Sequence, residues 1–186
     1  MRTLVFGGAG IVGSALVREG RSRGWPVLGL SRGQGEITDR DRVGDVCAAF
    51  RPDLIVNCAA FTKVDLCESE PAQAFAVNGA AVGNLARAAE ATGARLVHLS
   101  TDYVFDGRAA SPYDETHPTA PQSVYGASKL AGEVEALAFG RALVVRTSWI
   151  FGSGGPNFVD TIAGRIRDGQ KSFRVVDDQV GAPTWA

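Results

Sequence analysis

Tyr125 and Lys129 stand four residues apart in Val124-Tyr125-Gly126-Ala127-Ser128-Lys129. On a helix that spacing puts both side chains on one face, one turn apart. An ammonium so placed stabilises a phenolate and draws the phenol pKa down from about 10, making Tyr125 a proton donor near neutral pH. A Tyr–Lys pair on a merely solvated helix face has the same spacing, so the weight of this reading comes from the rest of the chain. Upstream, Ser100-Thr101-Asp102-Tyr103 gathers more polar groups. Thr101 can hydrogen-bond a substrate carbonyl or the tyrosine hydroxyl, and Asp102 can hold a hydroxyl. The plainer reading of that pair is a stabilised turn. Trp149 offers a ring to stack on a ligand or, equally, to pack on a sheet.

These residues need elements to bring them together. Arg2 to Phe6 predicts a short buried strand, followed at once by Gly7-Gly8-Ala9-Gly10-Ile11-Val12-Gly13 and an amphipathic helix to about Arg23. Strand, glycine turn and helix are the context in which a backbone approaches a pyrophosphate and seats it on the helix amides. The glycines fit either GxGxxG from Gly8 or GxxGxxG from Gly7. A second strand is expected at Trp25 to Ser31. Where an acid would bind a ribose 2′-hydroxyl, the chain has Ser31-Arg32, which suits a 2′-phosphate and tilts the choice toward NADPH, with NADH possible.

A helix capped by Thr38 or Asp39 should run to Phe50, and a third strand spans Leu54 to Asn57. Small residues then follow in Cys58-Ala59-Ala60-Phe61-Thr62, leaving room for a ligand. One long Ala-rich helix is expected from Pro71 to Thr92, with Gly93 as its stop. The fourth strand is Arg95 to Ser100. The Pro-bearing loop Arg108 to Gln122 precedes the Tyr125 helix, and a fifth strand covers Ala142 to Thr147. A helix at Asn157 to Asp168 and a sixth strand at Ser172 to Val176 complete the pattern. Such alternation predicts an α/β fold, a Rossmann-type doubly wound parallel sheet with ligands at the carboxyl ends of its strands.

The 186 residues are 45% apolar with a net charge of -1, which suits one compact domain. Arginines are scattered, so no footprint for nucleic acid or an anionic membrane is present. Met1-Arg2-Thr3 leads directly into the first strand without a signal-peptide core or spanning segment, and a cytoplasmic protein is expected. Cys47, Cys58 and Cys67 lack CxxC spacing and histidine neighbours, so they read as free thiols with no metal site.

The succession GGAGIVG, VNCAAFTKVD, STDYVFDG, VYGASKLAGE, RTSWIFG and DDQVGAPTW resembles the dTDP-4-dehydrorhamnose reductase family, of the extended short-chain dehydrogenases/reductases, across residues 2 to 185. The resemblance implies Tyr125 as proton donor, with Lys129 as its partner and as a nicotinamide-ribose ligand. It implies that Thr101 polarises the carbonyl, and that Asp102 and Trp149 touch the sugar. Gly7, Gly10, Ile11, Val12, Ala59, Ala60 and Thr62 would line the cofactor, and Ser31, Glu36 and Ile37 its adenosine end, beside Arg32. The implied reaction reduces the 4-keto group of a dTDP-linked 6-deoxy-hexose to dTDP-L-rhamnose.

Residues 1–147 would then be the NAD(P)-binding domain, and 148–186 the start of the substrate-binding region with a returning sheet strand. The family continues for roughly another domain. The smaller substrate-binding domain is therefore expected to be largely missing from this chain, together with any homodimer contacts it makes. Other readings share the glycine turn and YxxxK. One is a nucleotide-sugar epimerase or dehydratase, although dehydratases favour an acid pair after the threonine and Tyr103 follows Asp102 here. Another is an NADP-binding regulatory subunit like the beta subunit of methionine adenosyltransferase, and a third is a binding module with a vestigial pocket.

Overall fold

The computed structural model describes residues 1–186. The apolar run Thr3–Phe6 forms β1, all four residues buried. The glycine turn carries the chain into α1 (Ile11–Ser22), and β2 (Val27–Leu30) returns parallel to β1, Thr3 beside Val27 and Phe6 beside Leu30. α2 (Arg40–Phe50) begins at Asp39, whose carboxylate accepts the Arg42 amide, and ends at Arg51 in a left-handed conformation. β3 (Leu54–Asn57) then lies on the other side of β1, Thr3 beside Leu54.

Three helices follow, α3 (Val64–Ser69), α4 (Pro71–Phe75) and α5 (Ala81–Thr92), the last stopped by Gly93 at φ +72°. β4 (Arg95–Thr101) runs into a single 3-10 turn, Asp102–Val104. The loop beyond it leads to α6 (Val124–Ala138), whose Ser123 hydroxyl accepts the Gly126 amide, and β5 (Ala142–Thr147) closes the sheet. The order is β2-β1-β3-β4-β5, all parallel. All five carboxyl ends therefore open on one edge, and the chain reverses its direction of winding between β1 and β3, where such sheets leave a crevice.

Burial follows the winding. Leu4, Phe6, Ile55 and Leu96 pack on one face of the sheet against Val43 and Cys47 of α2, Val82, Leu85 and Ala89 of α5, and Ala136 of α6. On the other face Val5 and Val56 meet Val17 of α1. Leu143 of β5 stays 59% exposed. Past the sheet, β6 (Ile150–Phe151) and β7 (Thr184–Trp185) pair in parallel on either side of α7 (Phe158–Arg167).

One expectation is refined here and one fails. The helix expected over Pro71–Thr92 is helical over that whole span and stops at Gly93, but it contains a π-helical turn at Ala76–Ala80 between α4 and α5. Inserting an extra residue per turn re-aims the side chains, and Asn78 at that turn is buried. Its carbamoyl group bonds both the amide and the carbonyl of Phe61 (2.8 and 3.0 Å) and donates to Ser128 Oγ at 3.0 Å. These polar bonds, invisible to apolar periodicity, account for the π-helical turn. The expectation that fails is the returning strand at Ser172–Val176: its backbone joins no ladder, with Val175 58% and Val176 71% exposed. A β-rich composition forms a strand only where an edge accepts its amides and carbonyls.

Candidate active site

At the β1/β3 crevice the glycine turn and the loop after β3 touch. Gly7 has φ +76°, and a Cβ there would lie 2.6 Å from the Ala59 nitrogen, so only glycine lets the two loops meet. A Cβ on Gly13 would collide with the carbonyl oxygen of Gly7. α1 then begins with neither a side-chain cap nor an acid in its first turn. Its first amides and positive dipole end face the crevice unopposed.

Two joined clefts occupy this edge. The larger, of about 590 Å³, is lined by Gly10, Ile11, Val12, Ala59, Ala60, Thr62, Thr101, Asp102, Tyr125, Lys129 and Trp149. The smaller, of about 360 Å³, shares Gly10, Ala59 and Ala60 and adds Gly7, Ser31, Arg32, Glu36 and Ile37. Every residue singled out from the sequence thus borders one continuous depression, which crosses from β2 over the glycine turn to β4 and α6.

In the smaller cleft Arg32 Nε bonds Glu36 Oε2 at 2.9 Å, and this guanidinium holds the Glu36 carboxyl below its usual range. Ser31 Oγ donates to Gln34 Oε1 at 2.8 Å. The exposed arginine is therefore anchored at the rim rather than free in a turn.

In the larger cleft β4 supplies Thr101 and α6 supplies Tyr125 and Lys129. Thr101 Oγ1 donates to Asp102 Oδ1 at 3.0 Å and accepts the Tyr103 amide at 3.2 Å. To donate to a carbonyl, the hydroxyl must turn away from Asp102. Burial pushes the Asp102 carboxyl up. Lys129 is 3% exposed and its Nζ donates to the Leu99 carbonyl at 2.6 Å. Burial brings its pKa down to about 8, while the Glu133 carboxylate acts to raise it.

The expected lowering of the Tyr125 phenol is not found. Burial pushes it up to about 12, and the Thr101 hydroxyl offsets only part of that rise. Removal from water disfavours the phenolate, and the Lys129 ammonium is directed at a main-chain carbonyl instead of at the phenol. A phenol with this pKa is fully protonated at pH 7, the state a proton donor must start from.

Some lining residues escaped the sequence reading. Tyr103 sets the edge of its ring against Tyr125, centroids 5.6 Å apart and planes at 77°. Gly154, Gly155 and Pro156 line the cleft beside α1, and a Cβ on Gly155 would lie 3.1 Å from Ile11 Cγ1. The glycine-proline composition of that stretch is its only signal. Trp149 adopts φ +47°, unusual for a bulky side chain, with its indole against Gly181. The RTSW and QVGAPT segments therefore meet, and Ser148 Oγ donates to the Ala182 carbonyl at 2.6 Å. No helix is long and apolar enough to cross a membrane.

Comparison with known proteins agrees with this geometry. The family model described as RmlD substrate binding domain matches residues 1–186. The chain is 48% identical over 186 residues to a dTDP-4-dehydrorhamnose reductase of Streptomyces griseus, covering 99% of this chain and 61% of that protein. It is 44% identical over 187 residues to one of Burkholderia thailandensis, covering 100% of this chain and 62% of that relative. It superposes with a TM-score of 0.94, at 38% identity, on the crystal structure of the Bacillus anthracis dTDP-4-dehydrorhamnose reductase in complex with NADP, covering 99% of this chain and 66% of that one. The chain thus spans less than two thirds of the length of these relatives. With the match running from its first residue to its last, the chain belongs to the dTDP-4-dehydrorhamnose reductase family.

Proposed function

We propose that this chain carries the cofactor-binding and proton-donating part of an NADPH-dependent reductase that converts a dTDP-4-dehydro-6-deoxy-L-sugar to dTDP-L-rhamnose. The observation that carries this reading is the placement of Thr101, Tyr125 and Lys129 on one wall of a cleft that runs unbroken to the glycine turn. The residues present fit a dinucleotide. Gly7 and Gly13, with no Cβ, let the glycine turn close against the loop after β3 and the start of α1, and the open end of α1 suits a pyrophosphate. Ser31, Arg32, Glu36 and Ile37 would hold the adenosine end, and Ala59, Ala60, Thr62 and Lys129 the middle and the nicotinamide ribose. NADPH, when bound, supplies the hydride.

The protein's own residues do the rest. Asp102 and Trp149 orient the sugar, and Trp149 is held for this by Gly181. Tyr125 gives its phenolic proton to the oxygen on which charge develops, and Thr101 bonds the same oxygen. The buried phenolate left behind is costly, and the charge of Lys129 lowers that cost. In the same proposal residues 1–147 form the NAD(P)-binding domain and 148–186 begin the substrate-binding region.

Tyr125→Phe tests the reading in the whole protein. NADPH binding should persist while turnover of the dTDP-keto-sugar falls roughly a hundredfold or more, as loss of a positioned acid does. Near-normal turnover would refute the assignment of Tyr125.

A further inference from the structure

One helical turn past Lys129, Glu133 is 2% exposed, and both oxygens of its carboxylate are hydrogen-bonded. Arg146 binds it through both Nε (2.9 Å to Oε1) and Nη2 (2.6 Å to Oε2), and Ser100 Oγ donates to Oε1 at 2.5 Å. Arg146 of β5 sits beside Ser100 of β4 in the ladder, with its guanidinium 4.9 Å from the centre of the Phe105 ring. Lys129, on the same face of α6, takes the carbonyl of Leu99. Two charged side chains of one helix therefore grip two successive residues of β4, and the next residue of that strand is Thr101.

Apolar packing would join α6 to the sheet at least as well, because a buried ion pair seldom stabilises more than hydrophobic groups of the same shape. The siting of this pair beside a buried lysine calls for another role. The other titratable groups around Lys129 do not supply a counter-charge. Cys58, after β3, has its thiol pushed up to about 12 by burial, and His98 of β4 is brought down to about 3, so both are neutral at pH 7. Tyr125, on α6 itself, is a neutral phenol. Asp102, past the end of β4, is tied to Thr101 and acts on Tyr125. Arg146 carries the same sign as Lys129 and is paired with Glu133.

We propose that Glu133 is a positioning residue for the reduction: locked by Arg146 and Ser100, it keeps Lys129 charged and fixes the end of β4 from which Thr101 projects. This rests on the function proposed above. Removing the carboxylate leaves Lys129 buried with no anion beside it, so its proton is lost at lower pH.

The test is Glu133→Gln in the whole protein labelled with 13C at the lysine side chains. Lys63, Lys129 and Lys171 are the lysines of residues 1–186, and Lys129→Arg assigns the buried one. The Lys129 midpoint should fall by about one pH unit, the size expected when a nearby opposite charge is lost. The alkaline loss of NADPH binding should move down with it, while Lys63 and Lys171 stay in place. Glu133→Asp should recover part of the shift.

An unchanged Lys129 midpoint in folded Glu133→Gln overturns the proposal, since a purely structural role would weaken the protein without moving that titration. If Glu133→Gln does not fold, the double variant Glu133→Gln/Arg146→Gln leaves no orphaned guanidinium. It should show a smaller shift in the same direction, and no shift again overturns the proposal. A wild-type protein that failed to bind NADPH would overturn the proposed function, while the lysine titration would still judge the link from Glu133 to Lys129.

Discussion

Replacing Lys129 with methionine should make the protein more stable while abolishing its chemistry. The side chain is 3% exposed, and burial lowers its pKa from 10.5 to about 8. The unfolded chain therefore holds that proton more tightly than the native one by a difference of about 2.5 in pKa, each whole step being about 1.4 kcal/mol. At pH 7 the charged lysine thus costs the native state about 3 kcal/mol. Methionine has similar length and no charge to bury, but it leaves the Leu99 carbonyl without its donor, a loss of about 1 kcal/mol. The net gain is about 2 kcal/mol, or a rise in Tm of about 4–8 °C for a domain of this size.

The pH dependence separates this cause from generic packing. Between pH 8 and 10.5 the unfolded chain binds more protons than the native one, so wild-type stability climbs with pH through that window. The methionine variant lacks this climb, so its advantage should vanish at about pH 9.5 and reverse to about 1 kcal/mol in favour of the wild type by about pH 10.5. Urea unfolding at pH 7 and pH 10 measures both. A variant less stable than wild type at pH 7, or an advantage that is the same at both pH values, would refute the reasoning.

Arg32→Ala should weaken NADPH more than NADH, because the guanidinium at the rim of the smaller cleft suits a 2′-phosphate; equal losses in a fluorescence titration would remove that assignment. Gly13→Ala places a Cβ on the Gly7 carbonyl oxygen and should cost about 1–3 kcal/mol together with NADPH binding, read by thermal unfolding with and without the dinucleotide. His98 pairs its Nδ1 with Asn57 Nδ2 at 3.0 Å, and burial brings its pKa down to about 3. As pH falls below 6.5 the unfolded histidine gains a proton that the native one refuses. Between pH 7 and 4.5 the wild type should lose about 3 kcal/mol on this account, and His98→Gln, compared by urea midpoint, should lose less by that amount.

Much of the site was legible because its residues lie next to strand ends, and in a parallel sheet all such ends converge. Gly7 to Gly13, Ala59 to Thr62 and Thr101 each follow or end a strand that the apolar runs mark out, while Tyr125 stands in the first turn of α6, where its spacing from Lys129 is the signal. Glu133 and Arg146 gave no such signal: one is an ordinary acid on an Ala-rich helix, the other an arginine in a strand. Their bond joins elements whose adjacency depends on the order β3-β4-β5. Asn78 was hidden for a similar reason, since its partners Phe61 and Ser128 lie 17 and 50 residues away.

By itself, the sequence determined the alternation of strands and helices, the glycine turn and the helical pairing of Tyr125 with Lys129. These are local facts of backbone sterics and side-chain period. Tertiary structure alone decided the protonation of that pair. Charge in a protein is governed by distance to water and to other charges, and those distances arise only when β4, β5 and α6 close around Lys129. The phenol expected to be lowered is thereby raised to about 12, and the lysine expected to act on it is lowered to about 8.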